Sequence, residues 1–100
     1  MSLTKTQQIA LEEIRLSLES IKKYDSFNDY MEKEIKPTYF KDYKFNERQI
    51  NYYKSHYENA KNNMVTHKAN TRTLEKLSSL GLIEVVEYRE NQYDLIKVID

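Results

Sequence analysis

Lys68, Arg72, Glu75, Lys76 and Ser79 project to one side when residues 66–80 are wound at about 100° per residue. Three of these five are cations, and Thr66, Thr71 and Thr73 stand among them. Ammonium and guanidinium groups on one helix face pair with phosphate oxygens or with the acceptor edge of guanine. Threonine hydroxyls near a helix N-terminus donate to phosphate, where the helix dipole favours anions. That chemistry suits a nucleic-acid surface. Arg89, Asn91 and Gln92 lie between two apolar runs farther along and could touch a phosphate backbone or a minor groove.

The other reactive side chains form no catalytic or metal-binding pattern. His56 and His67 are eleven residues apart, without H-x-x-x-H or H-E-x-x-H spacing, and there is no Cys, so neither a zinc site nor a disulfide is expected. Glu12-Glu13 and the Glu32, Glu34 pair lie in charge-mixed helical stretches, where solvation accounts for them better than acid–base chemistry. No phosphate loop, G-x-S-x-G or Gly-rich turn is present. The expectation is a protein that is not an enzyme, needs no cofactor and binds no small molecule. Nine tyrosines raise the possibility of base stacking on single strands. Tyr53 and Tyr57, however, fall on an apolar helical stripe, where aromatic side chains serve a core.

The elements that must position these residues follow from periodicity. Leu11, Ile14, Leu18 and Ile21 step by three and four residues in a stretch, Lys5–Tyr24, that lacks Gly and Pro, which predicts a first helix. Ile9 and Leu16 form a second apolar line on nearly the opposite face, calling for another helix of the chain or a dimer mate. Ser26 with Asp29 predicts the start of a short second helix through Phe27, Tyr30, Met31 and Ile35, ended by Lys36-Pro37. Residues 38–45 read as a loop or a brief extended edge.

Asn46 with Gln49 repeats the capping pattern ahead of Ile50, Tyr53, Tyr57, Ala60 and Met64, a helix closing near Asn62-Asn63. A last helix is predicted from Thr66 as its cap to Leu80, burying Leu74, Leu77 and Leu80, with Gly81 free to take a positive φ. Residues 82–88 and 93–99 are β-branched and aromatic runs around a four-residue loop, the pattern of a hairpin. Such a hairpin is marginal alone and must pack on the helices or gain a third strand from residues 38–45.

One hundred residues suit a single domain, and 39% hydrophobic with 32% charged residues suits a folded chain. Sixteen basic and sixteen acidic residues cancel, but unevenly. Residues 1–40 carry six cations and seven acids (−1), residues 41–76 eight and four (+4), and residues 77–100 two and five (−3). No apolar run approaches the length of a signal or membrane segment, so a cytoplasmic location without membrane contact is expected. Lys, Asn, Ile and Tyr are plentiful and Gly and Pro scarce, the bias of AT-rich genomes such as those of low-GC bacteria and their phages; a phage or other mobile element is the expected source.

Helix, short turn, helix, Gly-Leu-Ile and hairpin is the order of a winged helix-turn-helix, and the residues resemble that family's recognition-helix pattern S-x-x-T-x-x-R-x-L-x-x-L-x-x-x-G-L/I-I/L. Thr66 stands at the capping Ser, Arg72 at the Arg, Leu74 and Leu77 at the leucines, and Gly81-Leu82-Ile83 at the turn into the wing. Phe45-Asn46-Glu47-Arg48-Gln49-Ile50 is also similar to the L-N-x-R-Q-x opening of some winged-helix modules. Fifteen residues separate Ile50 from Thr66, so one helix over 47–63 replaces the customary pair, or that second likeness is chance.

The resemblance spans about residues 45–99 and implies a mainly α fold with a C-terminal β-hairpin, winged-helix-like, carrying extra N-terminal helices over 1–36. It further implies a small transcription regulator binding double-stranded DNA through Thr66, Lys68, Thr71, Arg72, Lys76, Arg89 and Asn91. Ile9 and Leu16 would serve a homodimer. The alternative is an adaptor or anti-repressor that uses the same fold to bind protein.

Overall fold

The computed structural model describes residues 3–89 and 93–99. In chain order it holds α1 (Lys5–Lys22), α2 (Phe27–Tyr30) running on into a π turn (Met31–Ile35) and a 3-10 turn (Lys36–Thr38), then α3 (Glu47–Lys61), β1 (Met64–His67), α4 (Thr71–Ser79), β2 (Ile83–Glu87) and β3 (Asp94–Val98). The protein is mainly helical, with a small three-stranded antiparallel sheet toward its C-terminal end. No helix among the described residues is long and apolar enough to cross a membrane.

Helices begin where a side chain can take up an N–H group that the first turn leaves free. Thr4 Oγ1 accepts from the Gln7 N–H at 3.2 Å while Gln7 Oε1 accepts from the Thr4 N–H at 3.0 Å. Asn46 and Gln49 make the same reciprocal pair at the start of α3, at 2.9 and 3.1 Å. Ser26 Oγ caps α2 through the Asp29 N–H at 3.1 Å. This second helical stretch does not stop at Ile35 but changes pitch, the Lys36 N–H reaching back to the Met31 carbonyl. In a regular α-helix the ring of Pro37 would strike the Lys33 carbonyl. The wider turn ahead of it relieves that clash.

The sheet corrects two expectations. Its third strand is Met64–His67, not residues 38–45, and the order is β1-β3-β2 with β3 central. Thr66 and His67 pair with Leu95 and Asp94 of β3, so they do not open the last helix. That helix starts instead at Thr71, capped by Asn70, whose Oδ1 accepts the Arg72 N–H at 2.8 Å. Asn ranks above Thr as a cap, and strand pairing takes Thr66 out of the choice. The far end lies where expected, with Gly81 at φ 74° closing α4. The strands of the hairpin fall within the expected ranges, except that the β2–β3 register slips between Val85 and Glu87.

Ala10, Leu11, Ile14 and Leu18 face inward from α1, which packs on α3, α4 and β1. They meet Ala60, Val65, Leu74, Leu77, Ile83, Ile96 and Val98 in the main core. A second core of Tyr30, Met31, Ile35 and Tyr57 joins α2 and the π turn to α3, and Ile21 packs against both. Ile9 and Leu16 on the outer side of α1 remain 46% and 62% exposed.

The placement of the helix start is testable by stability. Asn70→Ala removes a working cap and lowers stability by about 1 kcal/mol in urea unfolding. Thr66→Val, in a strand position, stays within about 0.5 kcal/mol of the parent. The opposite ranking would mean that α4 begins at Thr66.

Candidate nucleic-acid interface

Residues 68–70 link β1 to α4, and the exposed side of this unit carries Lys68 in the link, then Thr71, Arg72, Glu75 and Ser79 on the helix. Leu74 and Leu77 point the opposite way, into the main core, with Thr73 buried beside them. The first turn of α4 contains no acidic residue. Its N-terminal dipole is therefore not offset within the helix, and the Thr71 hydroxyl and Arg72 guanidinium stand at that end.

Of the seven residues expected to contact DNA, three are exposed near the start of α4: Thr71 and Arg72 on the helix itself, and Lys68 in the link, where it lines the cleft against α1. Lys76, a turn later, is half-buried. Thr66 is half-buried in β1 rather than at the helix cap. Lys68 precedes the helix instead of lying on it, which separates it from the face expected to hold it with Arg72 and Lys76. Arg89 follows β2; its backbone N–H donates to Asp94 Oδ1 at 2.7 Å and its Nη2 to Glu87 Oε2 at 3.2 Å. Asn91 lies outside the described residues.

Asn70, exposed and capping α4, is the position that decides where the exposed face of the helix begins. The signal was present: Asn-Thr-Arg-Thr offers an Asn cap directly before Leu74, a competitor to Thr66. Negative charge is also close. Glu75 is exposed three residues beyond Arg72, and Glu13 Oε2 on α1 lies 3.7 Å from His67 Nε2. Thr6, Ile9 and Glu13 of α1 line one side of a cleft with Lys68, Asn70 and Thr73 on the other. Among the described residues no three His, Cys, Asp or Glu side chains gather in a metal-holding group.

His56 on α3 packs edge-on to Tyr52, with ring centroids 4.4 Å apart. Burial, and secondarily the charge of Arg89, hold its imidazole below the ordinary value of 6.5. No family model, curated protein or solved structure compared with the chain matches it.

The His56 shift has a pH consequence. Below about pH 6.5 the unfolded chain takes up a proton that the folded chain still refuses, so the unfolded state binds more protons and stability is lost as pH falls through that range. The urea midpoint should therefore drop between about pH 7.5 and about pH 5.5, and His56→Gln should flatten that drop. An identical pH profile in His56→Gln would exclude His56 as its source.

Proposed function

We propose that the chain is a small double-stranded DNA-binding protein of winged-helix character, a regulator that lays the exposed side of α4 in the major groove and the β2–β3 hairpin alongside it. The observation that carries this reading is the seating of α4. Its leucines are locked into the core, Gly81 reverses the chain directly into β2, and Lys68, Thr71 and Arg72 are left at the solvent-facing start of the helix. The order helix, link, helix, Gly-Leu-Ile, hairpin supports it as well. The link contains strand β1 rather than a tight turn between helices, and the helix packed across α4 is α1 from the N-terminal part of the chain.

Lys68 and Arg72 pair with phosphate or with guanine edges, and Thr71 donates to phosphate near the helix N-terminus. Arg89, held back by Glu87, supplies charge to the hairpin side rather than an extended finger. The exposed Ile9 and Leu16 support self-association through α1, and Ile9 borders the same cleft as Lys68, so a dimer face and a DNA face adjoin. The second reading, a protein-binding adaptor, is favoured by a different observation: Val86, Tyr88, Tyr93 and Ile99 leave large apolar surface exposed around the hairpin.

A gel-shift titration with random duplex across a salt series separates the two. The regulator binds with an affinity that falls steeply with salt, and Lys68→Ala combined with Arg72→Ala reduces the log–log slope by roughly two. Absence of binding at low salt selects the adaptor. For the dimer, light scattering should report twice the monomer mass for the parent chain and the monomer mass for Leu16→Glu; a parent that stays monomeric at high concentration rules the dimer out.

A further inference from the structure

Between the 3-10 turn and α3 the chain reads Tyr39-Phe40-Lys41-Asp42-Tyr43-Lys44-Phe45, four aromatic rings and two lysines in seven residues. The structure turns this alternation into one ring cluster. Tyr39 lies 4.7 Å from both Tyr43 and Phe45, centroid to centroid, and Tyr43 lies 5.0 Å from Phe45. Phe40 stands edge-to-face with Tyr43 at 5.1 Å and is 74% exposed.

The cluster is held in place from beneath. The Tyr39 and Tyr53 hydroxyls are 2.7 Å apart, and Gln49 Nε2, from the α3 capping pair, donates to the Tyr43 hydroxyl at 2.7 Å. Asp42 takes the left-handed conformation, φ 68°, and the Tyr43 N–H closes the turn on the Phe40 carbonyl at 3.1 Å. Rings fixed in this way lose little freedom when a flat partner is laid on them.

Lys41 and Lys44 are exposed, and neither makes an ion pair or hydrogen bond among the described residues. Lys44 and Lys36 rim a cleft of about 510 Å³ walled by Phe27, Tyr43, Phe45 and Ile50. Lys36 is ion-paired with Glu32 of the preceding turn, so the charge that the loop itself offers is Lys41 and Lys44 against the single acid Asp42. The partner this surface fits is therefore an anion that also presents flat apolar faces.

We infer that the 39–45 loop, with the adjoining cleft, is a binding platform for single-stranded nucleic acid: unpaired bases stack on Phe40 and its neighbours while Lys41 and Lys44 take the phosphates. A duplex keeps its base faces stacked on one another and cannot offer them to a ring, so the platform discriminates in favour of unpaired strands. The surface belongs to the second core, whereas α4 is seated in the first, so this inference and the duplex reading can fail independently.

Fluorescence anisotropy with a labelled short oligothymidylate at low salt tests it, with the same strand annealed to oligoadenylate as the duplex competitor. The single strand binds; Phe40→Ala, and Phe40→Leu, which keeps apolar bulk but no ring, each weaken it by roughly five- to a hundredfold. Lys41→Ala with Lys44→Ala lowers the salt slope by roughly 0.7 per lysine. Circular dichroism identical to the parent's certifies each variant as folded. The inference is overturned if the oligothymidylate does not bind, if Phe40→Leu binds it as the parent does, or if the duplex or polyglutamate competes as well as the single strand.

Discussion

The four-residue pairing of β1 with β3 is the constraint on which the rest of the architecture turns. Met64–His67 lies along Asp94–Lys97, and the Val98 N–H donates to the Asn63 carbonyl at 2.8 Å, so the ladder begins immediately where α3 ends. Asn63 makes that junction possible by taking φ 61°, a conformation Asn tolerates better than most residues. Because Thr66 and His67 are committed to the sheet, α4 cannot start on either of them, and the Asn70 cap sets its first residue at Thr71. It is left with nine residues, too few to hold together by helix propensity. Its stability must come from Leu74 and Leu77 in the main core, and this packing is also what fixes which side of α4 faces solvent.

The tyrosine-rich half works by a different balance. Tyr30 and Tyr57 are buried with rings 5.8 Å apart, and the Tyr57 hydroxyl donates to the Tyr24 carbonyl at 3.1 Å. The Tyr24 hydroxyl in turn donates to Glu34 Oε2 at 2.8 Å, and that hydrogen bond, ahead of burial, raises the Tyr24 phenol above its ordinary range. Burial first, and then the Glu34 charge, push the Tyr30 phenol up to about 12. A core built with tyrosines must place hydroxyls as well as rings, and the Tyr24 and Tyr57 hydroxyls each do so through a hydrogen bond, which narrows the alternative packings. Among the described residues no buried side-chain polar atom lacks a partner.

Local chemistry announced itself clearly in the chain. The Ser26 and Asn46 caps, the inward Leu74 and Leu77, the turn at Gly81 and the hairpin strands follow from patterns a few residues long, whereas Leu80, expected inside with the other two leucines, is half-buried at the end of α4. Strand β1 could not be read in this manner. It has a single buried side chain, Val65, and Met64 continues the helical stripe of α3, so periodicity assigned these residues to helices. Only the partner strand some thirty residues later makes Thr66 extended. The site inherited that error, since a helix opened at Thr66 gathers Lys68, Arg72 and Lys76 on one face, and a helix opened at Thr71 does not. The 39–45 loop was opaque for a related reason. Its aromatics spoil both the alternation of a strand and the step of a helix, and their mutual contacts appear only once α3 and the 3-10 turn bring them together.

The central place of β3 also dictates an order of assembly. As the chain leaves the ribosome, β1 and β2 emerge first and have no ladder partner, because both must pair with a strand not yet made. At about 5–20 residues per second, roughly two to six seconds separate the synthesis of β1 from that of β3. During this interval the helices can gather but the sheet cannot close, and Val65 and Ile83 wait without the Ile96 side chain that will cover them. Closure of the sheet is thus tied to the arrival of β3, and neither outer strand can complete its ladder before it.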